Sequence, residues 1–179
     1  MQPNSDSKLL DMLTGYAAAH QHPINIAVHL IGIPIIMLGI FIPMTWLNIE
    51  IGGISLNLAQ ITVLAMFIFY LTLDTIFALV FLLLAFAVAE LAAKLGSYPQ
   101  STALIIAAAA FFGGYIAQFI GHAVEKSMPV LLKHPIQANL AAPFFTIVEV
   151  FSLLGLRKSL FVDVQNRISE IRDEDFAAK

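Results

Sequence analysis

The chain alternates between long apolar stretches and short polar segments, and the lengths of the stretches predict membrane helices. About 20 apolar residues suffice to cross the hydrocarbon core of a bilayer. The stretch 58–91 is too long for one such helix, and Asp74 in its middle predicts a turn that divides it in two. The pattern therefore predicts four transmembrane helices, over about residues 24–46, 58–73, 75–94 and 102–121, with residues 47–57 and 122–137 as loops.

The stretch 138–156 is also apolar, but it carries Pro143 and Glu149. If it crosses the membrane as a fifth span, the nine basic residues divide between the two sides. If it is re-entrant or lies at the interface, eight of the nine share one side and only Lys94 opposes them. Membrane proteins carry an excess of Lys and Arg on the cytoplasmic side, which favours the second arrangement with both termini in the cytoplasm.

Residues 157–175 have the pattern of an amphipathic helix. Apolar residues recur at helical spacing, and charged residues occupy the rest of the circumference. This pattern is typical of a helix that lies on a membrane face, and the alternative is a helix packed on a partner. The recurring apolar positions are Leu156, Leu160, Val164, Ile168 and Ile171.

Composition agrees with a membrane protein and excludes several other classes. The chain is 59% hydrophobic and only 12% charged, whereas soluble domains carry about 25% charged residues. The net charge of −3 excludes the basic surface of a nucleic-acid-binding protein, and the absence of cysteine excludes thiolate ligands, disulfides and cysteine nucleophiles. We therefore expect one integral membrane domain over residues 1–179. Its fold class is an all-α polytopic bundle of four transmembrane helices, a re-entrant or interfacial segment and a C-terminal amphipathic helix.

The first 22 residues are mixed and polar and lack the pattern of a cleaved signal peptide. The absence of targeting signals and the compact length favour a bacterial inner membrane, with the endoplasmic reticulum membrane expected in a eukaryote. The expected surroundings are the lipid bilayer, nucleic acid is not an expected partner, and the sequence leaves room for a homodimer.

The five histidines gather on one side of the predicted membrane topology. With four crossings, the start of the first span and the end of the fourth lie on the same membrane face, so residues from both ends of the chain meet there. No histidine falls in the second or third span or in the loop on the opposite face. The residues are His20, His22, His29, His122 and His134.

The local sequence predicts how these histidines are presented. Pro23 suits the first position of a helix and disfavours helix at the residue before it, so His20 and His22 should lie in the segment that enters the first span. Asn25 and His29 are four residues apart and share one helix face. If the fourth helix continues beyond its apolar stretch, one of its faces carries Gln118, His122 and Glu125.

A histidine below the membrane surface is costly unless it is paired or bound to a metal. Neutral imidazole binds iron, zinc, copper or nickel, and ligand type alone does not choose among them. We therefore predict a metal site here, with Asn25, Gln118 and Glu125 as the polar groups that orient the rings and take part in catalysis. The alternative is that the amphipathic ring suits the interface, which fits best at His22 and His134, each followed by proline.

Two blocks of residues with distinctive spacing surround the first and fourth spans. The first block is Tyr16-x3-His20-x2-Pro23-x-Asn25-x3-His29-x2-Gly32-x-Pro34. The second is Gln118-Phe119-Ile120-Gly121-His122-x2-Glu125-Lys126-x2-Pro129, followed by Gln137 and Ala142-Pro143-Phe144. Over about residues 9–160 the chain resembles the Mpo-like family, which is named for a 2-hydroxy fatty acid dioxygenase of phytosphingosine breakdown.

The resemblance implies an iron(II)-dependent membrane enzyme with essential histidines. Its expected reaction converts a 2-hydroxy fatty acid and O2 into the acid one carbon shorter and CO2. The residues that match the family's motif as metal ligands are His20, His29 and His122, with His134 as a weaker match. Glu125 matches as a ligand or as a base. Zinc could occupy the same site in a purified sample.

The chain departs from the family in the loop after Glu125. Relatives often carry an arginine pair before the proline, whereas this chain has Lys126-Ser127-Met128-Pro129. Because the arginine pair is absent, other residues would have to bind the substrate carboxylate, and the candidates are Lys126 and Lys133. A 2-hydroxy acid can chelate iron through its hydroxyl and one carboxylate oxygen, and its aliphatic chain would then lie among the helices.

Two other classes of function compete with this prediction. Another histidine-metal lipid hydroxylase or desaturase would need more histidines in tight HxxxH and HxxHH clusters, and this chain has neither cluster. A non-catalytic membrane scaffold or transporter would carry charges or broken helices near the middle of the bilayer. Here the polar groups gather at one face.

Overall fold

A computed structural model describes residues 5–18, 20–133 and 135–177, which fold mainly into helices. The prediction of an all-α bundle is confirmed for these residues. The helices are α1 (Ser5–Ala17), α2 (Pro23–Met44), α3 (Leu58–Leu71), α4 (Thr75–Gly96), α5 (Gln100–Glu125), α6 (Val130–Lys133), α7 (Pro135–Leu153) and α8 (Lys158–Ala177).

Three of these helices, α2, α4 and α5, are long and apolar enough to cross a membrane. They correspond to the predicted spans 24–46, 75–94 and 102–121. Large apolar side chains cover their outer faces: Ile31 is 66% exposed, Leu83 71% and Ile105 70%. Such continuous apolar exposure marks a surface that contacts lipid or another protein. With 14 residues, α3 is shorter than the roughly 20 residues of a span, so the predicted span 58–73 does not reach that length.

The predicted turn at Asp74 is confirmed, and it also anchors the end of the chain. The Asp74 carboxylate caps α4 by accepting a hydrogen bond from the Phe77 backbone N–H at 3.0 Å. Its second oxygen accepts a hydrogen bond from the Arg157 guanidinium, which lies 4.8 Å over the Phe77 ring. The segment that leaves α7 is therefore held against the α3–α4 turn.

Two segments predicted as loops contain regular structure. Residues 47–57 include a hairpin of β1 (Asn48–Ile51) and β2 (Ile54–Asn57), paired antiparallel from Asn48 opposite Asn57 to Ile51 opposite Ile54. Gly52 and Gly53 both have positive φ angles, 59° and 84°, which is the turn that matches the twist of a two-residue hairpin. The polar segment 122–137 is largely helical, because α5 continues to Glu125 and is followed by α6 and the start of α7.

The amphipathic helix predicted over residues 157–175 is present as α8. Residues 138–153 of α7 and 158–170 of α8 meet at 115°, so the two helices form a sharp bend. On α8, Val164 and Ile168 are buried in the same hydrophobic core as Leu9 and Leu13 of α1. Protein rather than lipid therefore covers these two positions of the predicted amphipathic helix, whereas Leu156 is 46% exposed.

Glycines allow α2 and α5 to approach closely, and this contact positions the site described below. A Cβ on Gly39 would lie 2.6 Å from the Phe111 backbone nitrogen, and one on Gly121 would lie 2.5 Å from Asn25 Oδ1. Small residues at such crossings let membrane helices pack by their backbones. As a result the first turns of α2 lie against the last turns of α5.

Candidate metal centre

Three histidine rings from three separate elements meet inside the bundle. His20 lies between α1 and α2, His29 in the second turn of α2 and His122 in the last turn of α5, and none is more than 4% exposed. The ring centroids are 4.3 Å apart for His20 and His29, 4.8 Å for His20 and His122, and 5.0 Å for His29 and His122. The predicted convergence of histidines from both ends of the chain is confirmed for these three residues.

Helix α2 begins at Pro23, as the His22-Pro23 sequence predicts, and His22 and His20 differ in role. Pro23 is the first helical residue, and His22 is the N-cap in an extended conformation with φ −82° and ψ 129°. His22 Nδ1 accepts a hydrogen bond from the Ile24 backbone N–H at 3.2 Å. His22 therefore serves the helix end, while His20, two residues earlier, enters the cluster.

Each of the three rings is oriented by a hydrogen bond at Nδ1. His20 Nδ1 lies 2.7 Å from the Tyr16 carbonyl oxygen, and His29 Nδ1 lies 2.9 Å from the Asn25 carbonyl oxygen. Because a carbonyl can only accept, both Nδ1 atoms carry the proton and both Nε2 atoms are left with a lone pair. His122 Nδ1 lies 2.9 Å from Ser127 Oγ, which allows the same tautomer.

This arrangement suits a metal ion. Metal-binding histidines almost always donate the second ring N–H to a carbonyl, a carboxylate or water. One ring nitrogen from each histidine lies within 4.8 Å of the other two. A metal held at about 2.1 Å from each nitrogen would bring the three nitrogens closer together than this limit.

Burial favours the neutral form of the ring that lies outside the spanning helices. Burial first, and the neighbouring His29 second, lower the pKa of His20 to about 3. His20 is therefore neutral at pH 7, which is the form that binds a metal. Its Nε2 is buried and has no hydrogen-bond partner among the described residues, a costly state that a bound metal would relieve. Three imidazoles do not by themselves select one metal.

Glu125 lies beside the cluster and ties the end of α5 to the start of α2. One of its oxygens accepts hydrogen bonds from the backbone N–H groups of Gln21 at 2.6 Å and His22 at 3.2 Å. The other accepts from the Asn25 side-chain amide. Asn25 is fully buried, and its Nδ2 also lies 3.5 Å from His122 Nδ1. Glu125 and Asn25 thus fix the positions of the histidines, and Glu125 is not one of the residues that meet at the cluster.

The remaining predicted site residues occupy different positions. Gln118 lies one turn before His122 on α5 and lines the cavity described next. Lys126 is exposed and ends α5 in the left-handed conformation, with φ 57°, which lets the Ser127 N–H reach the His122 carbonyl at 3.1 Å. His134 and the side chain of Lys133 lie outside the described residues.

A cavity of about 320 Å³ extends from the histidines between α2, α3, α5 and α7. His20, His29 and His122 line it at one end, and its walls are otherwise mainly apolar. The positions from His29 to Phe41 on α2 span about 18 Å at 1.5 Å per residue. The cavity-lining residues that lie farther along the bundle include Ile36, Met37, Ile40, Phe41, Thr62 and Met66.

Three residues of the site were not predicted as functional from the sequence. Tyr16 stacks on His20 with ring centroids 4.2 Å apart and planes 1° from parallel, and the Phe145 ring contacts both, with its centroid 4.5 Å from that of Tyr16 and 5.5 Å from that of His20. Ser127 contacts His122 as described. The position of Tyr16 four residues before His20 was a signal, because that spacing joins two positions on one helix face.

Comparisons with known proteins bear on most of the chain. A protein-family model described as "2-hydroxy-palmitic acid dioxygenase Mpo1-like" matches residues 7–153. No curated protein and no solved structure shows a significant match. The matched region includes all three histidines of the cluster, Tyr16 and Glu125.

Proposed function

We propose that this protein, which belongs to the Mpo1-like family, is an iron(II)-dependent dioxygenase that shortens 2-hydroxy fatty acids by one carbon and releases CO2. The observation that carries the proposal is the position of three buried histidines at one end of a long, mainly apolar cavity. A molecule with a polar head and an aliphatic tail fits such a space, with its head at the histidines.

The dimensions of the cavity support a long-chain acid as the substrate. Its volume of about 320 Å³ lies within the range of sites that enclose small molecules. Its reach of about 18 Å along α2 is comparable to the length of an extended long-chain fatty acid. The side chains along this path include Ile33, Ile36 and Met37, which offer no polar partner and so favour an aliphatic tail.

In this proposal His20, His29 and His122 hold the metal, and Asn25 and Glu125 hold the histidines. Iron(II), when bound, supplies the binding and reduction of O2. Zinc could bind the same three imidazoles, but it has no redox chemistry and would give an inactive protein. The apolar walls exclude water from the reacting end of the substrate, which limits side reactions.

The proposed reaction balances without another co-substrate. A 2-hydroxy acid and O2 give the acid one carbon shorter, CO2 and water. Oxidation of the hydroxy acid releases four electrons, and reduction of O2 to water consumes four. No flavin, nicotinamide or 2-oxo acid is therefore required.

We further propose that the site lies near the cytoplasmic face of a membrane. In this arrangement α2, α4 and α5 cross the bilayer, the shorter α3 returns the chain across it between α2 and α4, and α7 is re-entrant. The pairing of Arg157 with Asp74 supports a return of the chain after α7 to the side of the α3–α4 turn. The substrate would then enter from the lipid, which also dissolves O2 and the aliphatic product.

The first test is a product assay on detergent-purified protein loaded with Fe(II). The protein is incubated with 2-hydroxyhexadecanoate in air, with and without a chelator, and the acids are identified by mass spectrometry. We expect pentadecanoate, formed only without chelator and with one O2 consumed per product. Stoichiometric iron without any shortened acid would contradict the proposed reaction, and protein that binds no metal would contradict the site itself.

A further inference from the structure

Tyr16 has an environment unlike that of the other tyrosines that pack near the cavity. It is 6% exposed, lines the cavity, and packs against the His20 and Phe145 rings. The Tyr70 hydroxyl donates to the Leu140 carbonyl at 2.6 Å, and the Tyr115 hydroxyl donates to Asn139 Oδ1 at 3.0 Å. The Tyr16 hydroxyl has no hydrogen-bond partner among the described residues.

The Tyr16 hydroxyl is not among the fully buried polar atoms that lack a partner, so it is a hydrogen-bond donor that remains accessible from the cavity. Tyr16 could have been phenylalanine if the ring only stacked on His20 and Phe145. The hydroxyl belongs to a cavity-lining residue whose ring centroid is 4.2 Å from that of His20 and 6.5 Å from that of His29. A molecule bound at the histidine end of the cavity can therefore accept a hydrogen bond from this hydroxyl.

The polar end of a 2-hydroxy acid supplies such a partner. A carboxylate accepts several hydrogen bonds, and it gains most from a donor in a site that excludes water. Lys126 is exposed at the end of α5, where it retains contact with solvent. Tyr16 lies beside the histidines inside the bundle, and its hydroxyl can donate a hydrogen bond at neutral pH.

We propose that the Tyr16 hydroxyl donates a hydrogen bond to the carboxylate of the bound 2-hydroxy acid and so orients the acid at the metal site. This inference rests on the proposed function, because it names the group that holds the polar end of that substrate. It makes Tyr16 a substrate-binding residue with two contacts: its carbonyl orients the His20 ring, and its hydroxyl orients the acid.

The test compares Tyr16→Phe with Tyr115→Phe, because each removes one hydroxyl from a ring that lines the cavity. Binding of 2-hydroxyhexadecanoate and of its methyl ester is measured by calorimetry on Zn(II)-loaded protein, where no turnover occurs. For Tyr16→Phe we expect affinity for the acid to fall by about tenfold or more, with little change for the ester. Metal content and unfolding temperature should remain those of the wild type, because the phenyl ring still stacks on His20.

The control and the kinetics separate this inference from the proposed function. Tyr115→Phe should leave the preference for acid over ester unchanged, because its hydroxyl already bonds Asn139. Unchanged acid affinity in Tyr16→Phe, or equal losses for acid and ester, would overturn the inference even if the Fe(II) enzyme is active. A selective loss of acid binding, in a protein that forms no shortened acid, would support the inference and reject the reaction.

Discussion

At the scale of single residues, the centre depends on which nitrogen of each histidine is engaged. Backbone carbonyls four residues earlier hold Nδ1 of His20 and His29, so the helical geometry that places each ring also sets its tautomer. Glu125 then joins the two halves of the site by accepting from Gln21, His22 and Asn25. The site thus contains residues that would bind the metal and residues that position them.

The ligand assignment predicts that His29→Ala and His122→Ala lose both iron and activity. Each change removes one of three nitrogens that lie within 4.8 Å of one another, and two imidazoles hold a divalent metal weakly. Iron per chain is measured by plasma emission spectrometry, and turnover by the product assay. His22→Ala is the matched control: it should keep iron and lose only the N-cap bond of α2, at a cost of about 1 kcal/mol. Full iron content in His122→Ala would contradict the assignment.

The positioning role of Glu125 predicts a graded effect rather than a complete loss. In Glu125→Gln an amide replaces a carboxylate that accepts three hydrogen bonds. Because the amide NH2 cannot accept, the segment between α1 and α2 that contains His20 is held less firmly. We expect iron affinity to fall about 10- to 100-fold, measured by competition with a chelator, while activity returns at saturating iron. Glu90→Gln, which changes a carboxylate that bonds Gln60, should have no such effect. Complete inactivity at saturating iron would instead give Glu125 a direct chemical role.

At the scale of the elements, the close crossing of α2 and α5 brings the two histidine-bearing turns together. The two helices are distant in sequence, and their glycines permit backbone contact at several levels. Phenylalanines and alanines fill the core on the other side of the bundle, where α4 and α7 meet around Phe77 and Phe144. A substitution at the α2–α5 crossing should therefore alter the metal site even though the substituted residue does not contact the histidines.

The glycine contact predicts that Gly39→Ala weakens both the fold and the site. The new Cβ would lie 2.6 Å from the Phe111 backbone nitrogen and 2.8 Å from the Ala107 carbonyl oxygen, so relief requires the helices to separate. We expect a loss of about 1–3 kcal/mol in stability and lower iron affinity, measured by thermal unfolding in detergent and chelator competition. Gly113→Ala, where a Cβ meets nothing within 4 Å, should be neutral or stabilising by about 1 kcal/mol. If Gly39→Ala and Gly113→Ala had the same stability and iron affinity, the close contact at Gly39 would not explain the result.

At the scale of the whole molecule, the helices enclose a cavity that connects the histidines to the middle of the bundle. Neither α3 nor α7 bears a histidine of the cluster, yet both contribute walls. The α7–α8 bend and the pairing of Arg157 with Asp74 close the bundle at one end. We therefore expect the preferred chain length of the substrate to depend on residues far from the metal site.

The cavity predicts that a larger side chain at its far end shortens the preferred substrate. Thr62 of α3 lines the cavity, and phenylalanine in its place would fill space occupied by the end of a long acyl chain. We expect Thr62→Phe to favour 2-hydroxy acids several carbons shorter, measured as product formation over a series of chain lengths. Ile68→Phe, at a position on the same helix that is 65% exposed, should leave the preference unchanged. An unaltered preference in Thr62→Phe would place the acyl chain elsewhere.

Much of the architecture is determined locally and could be predicted from the sequence. The length of an apolar stretch determines whether a helix can cross a bilayer, the His22-Pro23 pair determines where α2 begins, and Asp74 divides a stretch too long for one helix. Counting crossings predicted that all five histidines gather at one membrane face, and His20, His29 and His122 do meet. The hairpin at 48–57 was missed although its Gly52-Gly53 turn and alternating isoleucines were visible, because a polar segment between spans was interpreted as a loop.

Only the tertiary structure decided the parts that depend on contacts between distant segments. The apolar face of α8 could pack on a membrane or on protein by its pattern, and the structure shows that α1 covers it at Val164 and Ile168. Glu125 has the spacing of a ligand, but its oxygens accept hydrogen bonds from Gln21, His22 and Asn25. Tyr16 resembles any core aromatic until His20 is seen stacked on it. Helix periodicity determines which residues share a face, and the packing of one face against another determines what each of them does.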